Sequence, residues 1–238
     1  MYHYRLCFYK KGDLRFISHL DLLRMFIRAL RRASIPVAYS KGFNPQPRLS
    51  FAAPLAVGME GENEYLDLYL SEPWKEETLK DSLNKQLPPE LKIKKIKTVK
   101  ADLPPVSAVL GAALYVAELP FLPSGLLQEV QSVLSREEIL KVRKSRKAVK
   151  KVNIRPFIYD LQVRDVKGKG ILLMLLAAGS KGGVRPQEIL ELMPVEGDIR
   201  IYRKALFLGE KDSLKTPEGI ESGYYLSEES CEERAGIQ

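Results

Sequence analysis

The chain has 238 residues, 45% of them hydrophobic, which is enough for one large domain or two small ones with a sizeable core. Its longest apolar run, 171–178, is too short to cross a membrane. Cys7 and Cys231 are far apart, so neither a disulfide framework nor a metal cluster is indicated, and we expect no metal. The N-terminus lacks the layout of a signal peptide, which predicts a cytoplasmic protein.

The positive charge is concentrated in a few segments. Residues 1–50 hold ten Lys and Arg against two Asp, a net charge of +8, which equals the formal charge of the whole chain. Residues 51–90 hold nine acids against three Lys, and a second basic block, 141–151, holds seven cations and no acid. Segregated charge of this kind favours a polyanionic partner. The alternative is a set of solvated basic faces with no ligand.

The first half alternates strands and helices. Ser18, with Asp21 three residues later, predicts the start of a helix whose apolar side repeats at helical spacing and which ends near Ala33. The other elements are predicted as strands at 2–9, 48–55, 64–70 and 91–99 and a helix at 74–87. This β-α-β-β-α-β order predicts a ferredoxin-like unit with an antiparallel sheet and both helices on one face.

The second half is predicted to repeat this plan after a linker at 102–105. Strands at 114–119, 157–166, 170–178 and 199–208 combine with helices at 124–134 and 186–193, and the basic block is extended or forms a hairpin. We therefore predict an α+β protein with two tandem ferredoxin-like units, at 1–101 and 106–210. An acidic tail at 211–238 is predicted to be disordered.

The first helix carries four arginines on one flank. Arg24, Arg28, Arg31 and Arg32 lie within about one quadrant of a helical wheel. Guanidinium groups bind phosphate oxygens in a bidentate manner and stay charged in any environment. One nearby Asp cannot neutralise four cations, so we predict phosphate contacts, with pairing to acids in 60–77 as the alternative.

The loop 39–48 follows this helix and contains glycine, asparagine and two prolines, which together favour a fixed shape. Its aromatic side chains can stack on bases while its cations contact the RNA backbone. Alternatively, both aromatics fill the core beneath the loop. The predicted binding residues are Tyr39, Lys41, Phe43, Asn44 and Arg48.

His19 is the one candidate for acid–base chemistry in this region. It lies in the first turn of the helix, where a buried, hydrogen-bonded histidine is the more ordinary interpretation. It could also act as a general base in RNA cleavage. No Ser/His/Asp set or carboxylate pair can be assembled.

Two segments of the second half are further candidates for binding anions. Glycine-rich turns expose backbone amides, so Lys181, Gly182 and Arg185 form a possible anion site before a helix, although a plain flexible loop fits equally well. The spacing does not match a nucleotide-hydrolysing P-loop. The basic block adds Lys144, Arg146 and Lys147 as candidate RNA contacts.

The segments FISHLDLLRMFIRALRRASIPVAYSKGFNPQPRLSFAAPLAVG and GENEYLDLYL resemble a bacterial family, the radical-S-adenosylmethionine-linked domain of unknown function. The resemblance spans about residues 1–210 and implies an accessory role beside a radical S-adenosylmethionine enzyme. The chain lacks the CxxxCxxC spacing that holds the iron–sulfur cluster of such an enzyme. A weaker resemblance, in the fold alone, is to CRISPR-repeat-processing endoribonucleases.

The sequence thus favours a non-catalytic RNA-binding adaptor without a cofactor or membrane association. It would bind tRNA or rRNA and work with a radical S-adenosylmethionine enzyme in RNA modification or ribosome-linked maturation. One alternative is a metal-independent endoribonuclease that uses His19. Another is a protein–protein docking module for the radical enzyme.

Overall fold

A computed structural model describes residues 1–100, 102–144, 149–179 and 182–218. These residues form an α+β structure with ten strands and four α-helices, in which the registered strand pairs are antiparallel. The chain divides into two compact units, Met1–Leu110 and the part from Gly111 onward. None of the described helices combines the length and apolar character needed to cross a bilayer.

The first unit has a four-stranded antiparallel sheet in the order β4-β1-β3-β2. Its elements are β1 (Tyr2–Lys10), α1 (His19–Arg32), β2 (Leu49–Phe51), β3 (Glu60–Leu70), α2 (Glu76–Asn84) and β4 (Leu91–Val99). The sequence predicts this order of elements, but β2 is shorter than the predicted 48–55. Pro54 cannot donate to a strand ladder, and the chain bends after Phe51.

Both helices of the first unit pack on the same face of its sheet. In β1 the alternate residues Tyr4, Leu6 and Phe8 are buried in one core with Phe26 of α1 and Leu79 of α2. The Ser18 hydroxyl accepts a hydrogen bond from the Asp21 amide, which satisfies one of the unpaired donors at the start of α1. The exposed side of α1 is thereby fixed by the burial of its apolar side.

The other face of this sheet contains a fully buried carboxylate. Asp67 of β3 accepts two hydrogen bonds from Arg5 of β1, at 2.8 and 3.1 Å, and one from the Val106 amide at 2.6 Å. The Nε2 atom of His3 lies 3.3 Å from Asp67 Oδ2. Burial lowers the pKa of His3 more than the neighbouring carboxylate raises it. Asp67 therefore links two strands to the segment that follows β4.

The second unit has the sheet order β10-β5-β9-β8 and a separate two-stranded sheet of β6 and β7. Its elements are β5 (Leu110–Glu118), α3 (Leu126–Ser135), β6 (Leu140–Lys144), β7 (Val149–Asn153), β8 (Ile158–Val166), β9 (Lys169–Ala177), α4 (Pro186–Leu190) and β10 (Arg200–Leu208). The predicted second helix, 186–193, ends three residues early in a series of turns. The described residues of the basic block, 141–144 and 149–151, lie in β6 and β7, which pair with each other.

Part of the segment predicted as a disordered tail, 211–238, is described. Lys211–Ser213 form a 3-10 turn, Leu214 is buried, and Lys215 pairs with Leu208 at the end of β10. Residues 219–238 lie outside the described residues, as does Cys231. The prediction for the tail therefore applies to residues 219–238 only.

Replacing Asp67 with Ala should destabilise the first unit by about 3 kcal/mol, because it leaves the partly buried Arg5 guanidinium and the Val106 amide without their acceptor. Trp74, the one tryptophan of the chain, packs against the core of this unit, so its fluorescence during urea unfolding measures the effect. The exposed Asp81→Ala variant is the control and should unfold like the wild type. Equal stabilities of both variants would show that the buried carboxylate is dispensable.

Candidate nucleic-acid interface

The four arginines of α1 form an exposed ridge, defined here as Arg24, Arg28, Arg31 and Arg32. Two of them have partners within the unit. Arg24 forms an ion pair of 3.1 Å with Asp21, and Arg32 donates to the side chain and the carbonyl of Gln86. Hydrogen bonds from Ser18 and Arg24 lower the pKa of Asp21, which therefore stays ionised. Asp21 thus neutralises one arginine of the ridge.

The remaining two arginines have no such compensation. No hydrogen bond or ion pair joins the side chain of Arg28 or Arg31 to any residue that the structure describes. In the described part of the chain, none of the four arginines pairs with an acid of 60–77, which was the alternative to phosphate contacts. The ridge therefore carries uncompensated positive charge at the surface of the first unit.

Two shallow depressions flank the ridge. One, of about 300 Å³, is lined by Arg24, Arg28 and Arg32 together with Asp21 and Met25. The second has a volume of about 210 Å³ and an apolar floor that includes Ile27 and Leu30, with Arg31 and Tyr39 among its lining residues. The second depression brings the ridge together with the loop 39–48, as the sequence predicts.

The loop 39–48 is closed at its base by backbone hydrogen bonds. Tyr39 pairs with Pro47, and the amide of Ser40 donates to the carbonyl of Gln46 at 2.9 Å. The Ser40 hydroxyl accepts a hydrogen bond from the Gln46 amide. These contacts hold a protruding tip whose members are all exposed: Lys41, Gly42, Phe43 and Asn44.

The two aromatic residues of this loop do not fill the core. Phe43 is fully exposed, and Tyr39 is 47% exposed. An exposed phenyl ring contributes no burial free energy to the stability of the fold. Both of its faces are accessible, so a base can stack on it. The alternative that both aromatics plug the core is wrong for Phe43.

Arg48 has a different environment from the one predicted. Its guanidinium lies over the ring of Tyr69, 4.8 Å from the centroid, and contacts the sulfur of Met1. Tyr69 in turn stacks on His3 at 4.4 Å. Arg48 remains exposed, but these contacts make it an anchor for the base of the loop as well as a candidate phosphate ligand.

His19 is half-buried at the start of α1. Its ring packs edge-to-face against Phe51 of β2, with the centroids 5.0 Å apart. The neighbouring aromatic rings of Phe8 and Phe26 also contact Phe51. This aromatic environment gives His19 a packing role and supplies no proton acceptor or donor among the described residues.

In the second unit, the basic block is tied to α4 by ion pairs. Arg143 of β6 donates two hydrogen bonds to the Glu188 carboxylate, at 2.9 and 2.8 Å, and one to the Gly183 carbonyl. Lys141 pairs with Glu191 at 2.7 Å. The opposite face of the hairpin is exposed and apolar at Val142. Lys144 is the last residue of β6, and the structure does not describe its side chain. Arg146, Lys147 and Lys181 lie outside the described residues.

The structure does not support the predicted anion site before α4. The Arg185 amide donates to Glu188 Oε2 at 2.8 Å, so a carboxylate of the helix itself occupies this position. A Cβ on Gly182 would lie 2.8 Å from the ring of Phe157, and its φ is +109°, so close packing explains this glycine. Arg185 is exposed but belongs to a helix of only five residues.

Arg143 and Glu188 are structurally important residues that the sequence interpretation did not single out. The one available signal was the alternation in β6, which places Lys141 and Arg143 on the same face of the hairpin. Burial acts to raise the pKa of Glu188, but hydrogen bonds from Arg143 and the Arg185 amide lower it below its usual range. In the described part of the chain, no three His, Cys, Asp or Glu side chains are grouped to hold a metal ion.

Comparisons with known proteins give a family but no activity. A family model described as "Uncharacterized protein conserved in bacteria (DUF2344)" matches residues 3–186. No curated protein matches the chain. Among solved structures, a chain of "a Cbf5-Nop10-Gar1 Complex" is 13% identical, with a TM-score of 0.47 over 99% of this chain and 57% of its own length. "An Unknown Protein from Galdieria sulphuraria" is 14% identical, with a TM-score of 0.26 over 85% of this chain and 98% of its own. These low scores carry no argument about fold or function.

Replacing Glu188 with Gln should loosen the β6–β7 hairpin, because it removes the charged acceptor of Arg143. In this variant we expect faster amide hydrogen exchange in Leu140–Lys144 than in the wild type. In the wild type, the same segment should lose its protection from exchange as the pH falls below 4.5. The folded state holds the pKa of Glu188 lower than this value, so the stabilisation is present above pH 4.5 and is lost through the folded pKa.

Glu191→Gln is the matched control for this prediction, because Glu191 is more exposed and accepts a single ion pair from Lys141. Its exchange should stay close to that of the wild type. An unchanged exchange rate in Glu188→Gln would show that the hairpin is held by its apolar contacts alone.

Proposed function

This chain belongs to the family of uncharacterized bacterial proteins whose model covers residues 3–186, and we propose that it is a non-catalytic RNA-binding accessory protein. The observation that carries the proposal is the exposed arginine ridge of α1, in which the Arg28 and Arg31 side chains have no partner among the described residues, beside a closed loop with a fully exposed Phe43. The ridge offers charged hydrogen-bond donors to phosphates, and the loop offers an aromatic face to a base.

The geometry of the ridge suits a phosphate backbone. Arg24 and Arg28 are one helical turn apart, so their side chains are neighbours on the surface, and Arg31 extends the row towards Tyr39. The row therefore presents several donors in succession along one direction. A folded core does not use such a row, since each arginine would need its own buried acceptor.

A single-stranded or loop region of RNA fits this surface better than a regular duplex. The bases of single strands are free to stack on aromatic side chains, whereas the bases of a duplex are already stacked on each other. Phe43 at the loop tip has no neighbour that would compete for its ring. Loop regions and ends of tRNA or rRNA are the candidate partners.

We also infer that both units are ferredoxin-like. In the first unit the element order β-α-β-β-α-β and the sheet order β4-β1-β3-β2 support this assignment. In the second unit the order β10-β5-β9-β8 repeats the same arrangement once the β6–β7 hairpin is treated as an insertion. Each unit thus has the four strands and two helices of an arrangement that some RNA-binding domains use.

The proposed partner protein is a radical S-adenosylmethionine enzyme that modifies RNA or acts in ribosome-linked maturation. Support for it comes from the resemblance of the segments 16–58 and 61–70 to a family linked to such enzymes. The chain has no CxxxCxxC motif, so the radical chemistry would lie in the partner. The endoribonuclease alternative is less favoured, because His19 packs against Phe51.

Replacing Arg28 and Arg31 together with Gln should weaken the binding of labelled single-stranded RNA by roughly a hundredfold, since each of the two charged hydrogen bonds lost contributes about 1.5 kcal/mol. Fluorescence anisotropy titrations at several salt concentrations measure this affinity. The slope of log K against log salt should become shallower by roughly 1.4, because about 0.7 is lost for each phosphate contact on a single strand.

The matched control is Lys95→Gln with Lys97→Gln, which removes two exposed charges from β4 of the same unit. It should leave the salt slope close to that of the wild type. The RNA proposal would be wrong if the wild type bound no RNA at low salt. Co-purification of a protein partner without RNA would instead favour the docking-module alternative.

Replacing Phe43 with Ala should make the binding free energy for the same RNA less favourable by about 1–3 kcal/mol, which is the usual contribution of one base stacked on an aromatic ring. The salt slope should not change, because no phosphate contact is removed. Phe43→Trp should restore affinity. The exposed Phe121 of the second unit provides the control Phe121→Ala. If Phe43→Ala binds as the wild type does, the loop tip does not contact a base.

A further inference from the structure

The second unit contains a cavity that nothing in the proposed function uses. Its volume is about 520 Å³, which lies in the usual range for small-molecule sites. Residues of β5, β9 and β10 and of the β8–β9 turn line it. All of them lie within this one unit.

The floor of the cavity belongs to the sheet and is mainly apolar, although the buried Lys204 of β10 also lines it. Val116 of β5, Leu173 of β9 and Tyr202 of β10 form it, with Ile171 at its less buried side. The residues next to them in sequence, Ala117 and Leu172, point to the opposite side, where α3 packs. The floor is therefore a flat, rigid surface built on paired strands.

The rim of the cavity combines cations with two carboxylates. Lys167 and Lys169 flank the turn between β8 and β9, are exposed, and make no ion pair with any residue in the described ranges. Arg200 lies on the opposite rim, 3.8 Å from the Glu118 carboxylate. Asp198 is exposed nearby and also lines the cavity.

The turn that carries the two lysines is tightly defined. Lys167 has φ of +53° and Gly168 has φ of +81°, the left-handed conformations of a two-residue hairpin turn. The Gly168 amide donates to the Asp165 carboxylate at 2.8 Å. A lysine pays a conformational cost at a left-handed position that Asn or Gly would adopt more easily. Local backbone preference therefore does not explain Lys167.

We propose that this cavity binds a nucleotide. The flat apolar floor accepts a planar base, and Lys167 and Lys169 provide charged donors for a phosphate. Glu118 and Asp198 accept hydrogen bonds from the exocyclic amino groups of a base or from ribose hydroxyls. The ligand thus needs a flat apolar body, an anionic group and neutral donors, and a nucleotide has all three.

Other ligand chemistries use less of the site. A fatty acid supplies an apolar chain and a carboxylate, but it offers no hydrogen-bond donor to the carboxylates of the rim and would place a further anion beside them. A bare phosphate would leave the apolar floor unused. The proposal does not depend on the arginine ridge of the first unit, so the two sites can be tested separately.

The test uses the full chain and the four nucleoside 5′-monophosphates, titrated by calorimetry, with the four corresponding nucleosides and inorganic phosphate as probes of the two halves of the ligand. We expect at least one monophosphate to bind at least tenfold more tightly than both its nucleoside and inorganic phosphate. The double variant Lys167→Gln with Lys169→Gln should bind this monophosphate about tenfold more weakly and should bind the nucleoside with unchanged affinity. Ile171→Thr should weaken both, because it makes the floor polar.

Lys150→Gln with Lys151→Gln is the matched control, since it removes two exposed charges from β7 of the same unit. This control should bind the monophosphate with the affinity of the wild type. The variant with Gln at positions 28 and 31 should do the same, even where it no longer binds RNA. Three results would each overturn the proposal: no monophosphate binding at millimolar concentration, equal affinity for inorganic phosphate, or an equal loss of affinity in the control.

Discussion

The buried carboxylate of Asp67 orders the face of the first unit that carries no helix. A fully buried charge is tolerated only when its neighbours satisfy it, and here Arg5, His3 and the Val106 amide surround it. The His3 ring continues this set of contacts by stacking on Tyr69, which lies under the Arg48 guanidinium. The base of the loop 39–48 is therefore fixed from beneath by a network that begins at a single carboxylate.

A fixed loop base matters for binding, because ordering a mobile loop costs conformational entropy at the moment of association. In the free protein this loop is already partly ordered, because Tyr39 pairs with Pro47 and Ser40 forms hydrogen bonds across the base of the loop. The entropy lost on binding is therefore smaller. The tip keeps its exposed ring, and the ridge of α1 keeps its charge, because the buried side of the helix already satisfies the packing of the unit. Stability and the proposed RNA binding thus use opposite sides of the same helix.

The sequence was most informative where one periodicity governs a long segment. The apolar repeat of α1 fixes which side is buried, so the exposure of its arginines could be predicted from spacing alone. The positions of Arg48 and Glu188 could not, because their partners, Tyr69 and Arg143, are distant in sequence. Glycine composition also misled, since Gly182 is explained by contact with Phe157 and the helix amide behind it is capped internally. A glycine-rich pattern does not reveal which nearby group competes for its amides.

The hairpin of the second unit and the ridge of the first show why net charge alone is a poor guide to a binding surface. Both segments are strongly basic in sequence, yet Lys141 and Arg143 are paired with carboxylates of α4, while Arg28 has no partner in the described structure. A paired arginine must break its ion pair before it can bind a phosphate, so its net contribution to affinity is reduced by the energy of that pair. An unpaired arginine at the surface exchanges only water and counterions for the phosphate. Charge therefore predicts a binding surface only after the internal pairs have been removed from the count, and among the described residues the ridge of the first unit keeps its charge after that step.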